Sequence, residues 1–157
     1  EKDLRIRLKE ICSSLREIMN HSSFAEEKFV LITGHRRENF GLGFDQIFES
    51  LIQLAGTHHS VHFLYPVHPN PNLLKLVNQN KGRFPNLHFT DPIEYQLFCY
   101  LLKHCYCVLT DSGGIQEEAP SLGKPVLVMR ENTERPEAVQ AGTVKLVGTD
   151  VALCKLK

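Results

Sequence analysis

Eleven residues in the second half of the chain, Thr110-Asp111-Ser112-Gly113-Gly114-Ile115-Gln116-Glu117-Glu118-Ala119-Pro120, have the types and spacing to hold a phosphorylated ligand. The apolar run Cys105 to Leu109 leads into them. Ile115, Ala119 and Leu122 then recur at helical spacing until Gly123-Lys124-Pro125 ends the pattern. This reads as a strand that turns through glycines into a helix. Ser112, Gly113 and Gly114 are then expected at the helix N-terminus with free backbone N–H groups, where the positive end of the dipole favours an anion. Glu118 falls one turn beyond Gly114 on the same face. A carboxylate there would repel a phosphate aimed at it, but it suits a neutral diol such as a ribose. A phosphate cradle beside a ribose acceptor suggests a nucleotide; the plainer alternative is a glycine turn that only caps a helix.

Other residues offer charge or aromatic surface to the same kind of ligand. His35 follows a strand-like run and Gly34, and stands beside Arg36 and Arg37, so three potential cations could hold a diphosphate or protonate a departing phosphate. Alternatively, His35 caps the sheet and the arginines pair with Glu38. Arg135 precedes Pro136, a favoured first residue of a helix, and could grip a phosphate, close against the Glu118 helix, or pair with Glu131 or Glu134. Phe98 and Tyr95 follow the loop Asp91-Pro92, where an aromatic can stack on a base. Glu117 and Glu118 are adjacent on a helix, so their side chains diverge by about 100° and do not form an acid–base pair. Asp111, Ser112 and His35 do not make a hydrolytic triad, for there is no Gly-x-Ser-x-Gly elbow. Gly41-Leu42-Gly43-Phe44 lacks the third glycine of a dinucleotide fingerprint and reads as a helix start.

A regular alternation of elements must position these groups. Strand-like runs are Phe29 to Thr33, Val61 to Val67, Leu87 to Thr90, Cys105 to Thr110, Val126 to Met129 and Val144 to Val147. Helical patterns lie between them, at Phe44 to Ala55, Pro71 to Lys81, Ile93 to His104, Gly114 to Leu122 and Pro136 to Ala141. An amphipathic opening helix over Leu4, Leu8, Ile11, Leu15 and Ile18 precedes them. About six strands with helical crossovers predict an α/β fold, a doubly wound parallel sheet covered on both faces. In such sheets ligands bind beyond the carboxyl ends of the strands, and here those ends hold most of the chemically suggestive residues. The opposite connections, such as Gly56 to Ser60 and Gly82 to Asn86, are plain turns.

Composition sets further bounds. The 157 residues suit one domain with a real core. Lysine plus arginine and aspartate plus glutamate both number 18, so no bulk charge draws the chain to nucleic acid or an anionic membrane. No apolar run approaches the ~20 residues of a membrane span. The five cysteines lack framework spacing and read as small buried hydrophobes of a reducing compartment, with Cys105 and Cys107 expected on one face of a strand. His104-Cys105-x-Cys107 is the densest potential metal cluster, but a strand interior converges poorly on a tetrahedral ion, so no metal site is expected. His21, His58, His59 and His88 read as solvated loop or strand-end residues.

Together the motifs Gly34-His-Arg-Arg-Glu-Asn39, Pro66-Val-His-Pro-Asn-Pro71, Thr110 to Pro120, Gly123-Lys-Pro-Val-Leu-Val-Met-Arg130 and Thr133-Glu-Arg-Pro-Glu-Ala138 resemble the non-hydrolysing UDP-N-acetylglucosamine 2-epimerases, from about Lys28 to Asp150. The resemblance implies the Rossmann-like C-terminal domain of a two-domain GT-B architecture, with the N-terminal domain and a closing helix outside this sequence. It implies that His35 assists catalysis near the diphosphate, that Ser112, Gly113 and Gly114 cradle the diphosphate, and that Glu118 holds the ribose. Arg135 would contact the phosphates, Phe98 would lie beside the uracil, and Ile93 would offer the base its backbone. Arg36 and His68 match residues that in some members help hold an activating second substrate. The implied reaction interconverts UDP-N-acetylglucosamine and UDP-N-acetylmannosamine by elimination and re-addition of UDP, without metal or nicotinamide. The implied setting is a cytoplasmic homodimer supplying cell-surface polysaccharide synthesis. The competing readings are the donor domain of a GT-B glycosyltransferase, a hydrolysing relative and a non-catalytic UDP-binding module.

Overall fold

The computed structural model describes Ile6, residues 28–34 and residues 42–148. The opening helix, His35, Arg36 and Arg37 lie outside the described residues. The described elements alternate from β1 (Phe29–Thr33) through α1 (Leu42–Thr57), β2 (His62–Pro66), α2 (Pro71–Asn80), β3 (Leu87–Thr90), α3 (Tyr95–His104), β4 (Cys107–Thr110), α4 (Ile115–Ser121), β5 (Val126–Val128) and α5 (Pro136–Gln140) to β6 (Val144–Leu146). Local chemistry sets several boundaries. Asn70 caps α2, its side chain accepting from the Asn72 N–H at 3.0 Å, and Pro71 follows at a position where a missing N–H costs nothing. After α4, Gly123 takes φ +70°, a left-handed conformation natural to glycine, while Lys124 N–H returns to the Ala119 carbonyl at 3.0 Å.

All five strand pairings are parallel, and the sheet order is β3-β2-β1-β4-β5-β6. This is the doubly wound arrangement expected from the alternation. The chain builds outward from β1 in one direction, then crosses back and builds outward from β4 in the other. β1 and β4 are therefore neighbours whose following loops diverge, leaving a crevice at their carboxyl ends. Register places Thr33 opposite Thr110 at that edge, and their hydroxyls meet at 2.5 Å.

Side-chain alternation divides the core into two layers. Phe29, Leu31 and Val108 pack with Leu97 and Leu101 of α3 and with Ala119 of α4. Val30, Ile32 and Leu109 pack on the other face with Ile47 and Leu51 of α1 and with Leu73 of α2. A sheet buried on both faces explains why its strands read as continuous apolar runs.

Two sequence expectations fail for identifiable reasons. Cys105 and Cys107 do not share a face: Cys105 packs in the first layer and Cys107 in the second. Cys105 is the cap of α3, its N–H bonded to the Leu101 carbonyl at 2.8 Å, so strand alternation begins only at Cys107. Burial pushes the Cys105 thiol up to about 12, as befits a small hydrophobe. His88 is not solvated but 5% exposed, and its Nε2 lies 2.9 Å from His62 Nδ1 on the adjacent strand. Pairing of β2 with β3 covers it, which local sequence does not reveal.

Candidate functional site

The crevice at the carboxyl edge contains a cleft of about 260 Å³ lined by Thr33 of β1, Pro66, Val67 and His68 after β2, Pro92, Ile93, Tyr95 and Phe98 around the start of α3, and Ser112 and Ile115 after β4. Four successive strand ends converge there because every strand points the same way. Ile93, Phe98 and the prolines make the lining apolar, and Ser112, Thr33 and His68 bring polar groups to it. The sequence-selected residues Ile93, Phe98, His68 and Ser112 thus share one cavity. Its partners among the predicted cations, His35 and Arg36, fall outside the described residues.

The turn after β4 is built more tightly than its sequence suggests. Thr110 is fully buried, and its Oγ1 accepts the Ser112 N–H at 2.9 Å. Ser112 therefore does not offer a free N–H, contrary to expectation; what it retains for a ligand is its hydroxyl. The N–H groups of Gly113 and Gly114 have no hydrogen-bond partner among the described residues. Glu118 stands over this turn, its N–H returning to the Gly114 carbonyl at 3.0 Å. Glu118 Oε1 lies 3.8 Å, and Ser112 Oγ 4.0 Å, from where a Cβ on Gly114 would stand. A side chain at position 114 would stand between the turn and that carboxylate.

Each acidic residue of α4 has its own partner, as the divergence of adjacent helical side chains requires. The Tyr95 hydroxyl donates to Glu118 Oε2 at 3.1 Å, joining the starts of α3 and α4. The Cys99 thiol first, and then the Glu118 carboxylate, push the Tyr95 phenol up to about 12, so it remains a proton donor at neutral pH. Tyr95 and Glu118 also border a second groove of about 460 Å³ between α3 and α4. Glu117 instead takes the Nε of Arg135. Of the alternatives open for Arg135, the structure takes closure against α4, with a further contact from Nη1 to the Glu134 carbonyl at 3.2 Å. Glu134 itself pairs with Arg130 at 3.3 Å.

Below the cleft, Gly34 lets β1 end in close quarters. A Cβ there would lie 3.2 Å from both Met129 Cε and Tyr65 Oη. The Tyr65 hydroxyl donates to the Gly34 carbonyl at 2.6 Å. Burial first and the nearby Asp111 second raise its pKa well above the ordinary phenol value, which keeps that donor protonated. Sequence reading passed over this support, as it did the Tyr95–Glu118 bond and the buried amide of Gln116. A glutamine on the inward face of a helix, between Ile115 and Ala119, is the one such signal visible in the sequence.

Known proteins share this sequence and fold. The protein-family model for UDP-N-acetylglucosamine 2-epimerase matches residues 3–153. The UDP-N-acetylglucosamine 2-epimerase of Escherichia coli K12 is 58% identical over 125 residues, covering 80% of this chain and 33% of that protein. The crystal structure of UDP-GlcNAc 2-epimerase from Neisseria meningitidis bound to UDP-GlcNAc superposes with a TM-score of 0.77 at 45% identity, covering 93% of this chain and 40% of the other. A co-structure of S. aureus MnaA with UDP gives a TM-score of 0.75 at 39% identity, covering 87% and 40%. The chain thus spans about a third of the length of the curated relatives it matches.

Proposed function

The chain belongs to the UDP-N-acetylglucosamine 2-epimerase family, and we propose that it forms the UDP-binding half of an enzyme interconverting UDP-N-acetylglucosamine and UDP-N-acetylmannosamine. The observation that carries this reading is the cleft at the β1–β4 crevice, apolar around Ile93 and Phe98 and polar at Ser112, with the Glu118 carboxylate beside the adjoining Gly114 turn. A uracil fits the apolar wall, with Phe98 beside its ring and the Ile93 backbone at its edge. The ribose diol then faces Glu118, which accepts from its hydroxyls. The diphosphate meets the Ser112 hydroxyl, the Gly113 and Gly114 N–H groups, and Arg135.

In the reaction proposed, a base removes the proton from carbon 2 of the sugar, and the bond from carbon 1 to the UDP oxygen breaks. UDP leaves with the bonding pair, and an unsaturated sugar remains. Return of a proton to the opposite face of carbon 2 and re-addition of UDP give the epimer. Donors aimed at the diphosphate stabilise the charge that develops as UDP departs. His35 would assist there, with the carboxylate base supplied by residues outside these 157. Arg36 and His68 are assigned to an activating second UDP-sugar, and the intact protein to a cytoplasmic homodimer.

Incubating the intact protein with UDP-N-acetylglucosamine in heavy water tests the reading. UDP-N-acetylmannosamine should form with deuterium at carbon 2. Transfer of the sugar to an acceptor, or release of free N-acetylmannosamine in place of UDP-N-acetylmannosamine, would overturn it in favour of a glycosyltransferase or a hydrolysing relative.

A further inference from the structure

Gln116 is only 1% exposed, and a buried amide is costly unless its polar atoms are satisfied. Its Nε2 donates to the Ser112 carbonyl at 3.3 Å, and its Oε1 accepts from the Thr133 hydroxyl at 2.5 Å. Thr133 Oγ1 accepts in turn from the backbone N–H of Arg135 at 3.0 Å. The direction of every bond is dictated by chemistry. A peptide N–H can only donate, so Thr133 uses a lone pair on Arg135 and its own proton on Gln116. The Ser112 carbonyl can only accept, so the amide must turn Nε2 toward it. A single orientation of the glutamine satisfies all three bonds.

This relay joins two loops that sequence keeps apart, the turn after β4 and the segment after β5. Helix α4 then reaches Arg135 twice, through the backbone by Gln116 and Thr133, and through the guanidinium by Glu117. We propose that Gln116 and Thr133 are positioning residues that hold Arg135 in register with the Ser112–Gly114 turn, so that both close on one diphosphate. The inference rests on the UDP reading of the cleft. Neither residue need touch the ligand. Their effect is to fix, before binding, the backbone from which the Arg135 side chain projects, which lowers the conformational entropy lost when the phosphates arrive.

The test uses the intact protein and four variants, T133V, T133S, R135A and the T133V/R135A double variant. Affinity is measured for UDP by calorimetry and for uridine, which has no phosphate, by ligand-observed NMR. T133V should weaken UDP binding by about 5- to 20-fold, the scale of one hydrogen bond, and leave uridine within about twofold. T133S, which keeps the hydroxyl, should bind both ligands like the unaltered protein. In the R135A background, T133V should have no further effect on UDP. Undiminished UDP binding by T133V alongside a loss in R135A would overturn the relay and leave the UDP reading standing. An equal loss for UDP and uridine in T133V would also overturn it, showing general damage to the cleft. Unaltered UDP binding by R135A would remove the arginine from the phosphates and overturn this inference while the UDP reading stands; absence of UDP binding by the unaltered intact protein would overturn both.

Discussion

At the scale of the residue, the cleft is held ready by side chains that already have partners. Glu118 accepts from Tyr95, and a ribose must share or displace that donor. Glu118→Gln replaces one acceptor oxygen with a donor amide. In the intact protein it should weaken UDP binding by about 1–3 kcal/mol, the range for hydrogen bonds to a charged group. An unchanged dissociation constant by calorimetry would take Glu118 out of the site. Thr110→Val keeps the shape of a fully buried side chain but removes the acceptor of the Ser112 N–H and the partner of the Thr33 hydroxyl. Denaturant unfolding should show a loss of about 1–3 kcal/mol, the cost of leaving a buried polar group unsatisfied. His35→Ala tests a transition-state role: turnover should fall more than apparent substrate affinity. A raised Michaelis constant with turnover intact would make His35 a ground-state binder instead.

At the scale of the element, β3 is an edge strand secured to β2 partly by two imidazoles. His88 is pulled down to about 4, first by burial and then by the nearby His62. A histidine with a depressed folded pKa binds its proton more readily in the unfolded chain. Stability should therefore be fully present above about pH 6.5 and decline as pH falls toward 4. The shift corresponds to about 3 kcal/mol at the acid end of that window. Urea midpoints measured between pH 7 and 4 should show this slope, and His88→Leu should flatten it. An equally steep slope in the variant would place the acid sensitivity elsewhere. The same pairing shows why His88 is misread from sequence: alternation marks a strand, but only the neighbouring strand decides whether a polar face meets water. The Cys105–Cys107 error has a similar origin, since a residue can look like the first of a strand while its N–H still closes the preceding helix.

At the scale of the whole molecule, the described residues form a two-layer core with the proposed cleft at its carboxyl edge. The chain by itself should bind UDP weakly through Ser112 to Gly114, Glu118 and Arg135, and should not epimerise it. Neither a carbon 2 base nor a second wall to exclude water is assigned within it. Incubation of the isolated chain with UDP-N-acetylglucosamine in heavy water should leave carbon 2 undeuterated. Incorporation would reveal a base among its own residues.

The doubly wound sheet was legible before any coordinates because its signal is local. Apolar runs of strand length alternate with helical periodicity, and right-handed parallel crossovers admit few arrangements of such a series. The strand ends that carry the site were legible for the same reason, and Ile93, Phe98, His68 and Ser112 do meet in one cleft. Tertiary structure alone decided which partner each polar group takes. Glu117 rather than Glu118 takes Arg135, and Gln116 reaches Thr133 from a different loop. Hydrogen bonds and ion pairs act over about 3 Å, whereas sequence patterns report only which side of an element a residue occupies. The sheet order, with β4 placed beside β1, brings those distant loops within that reach.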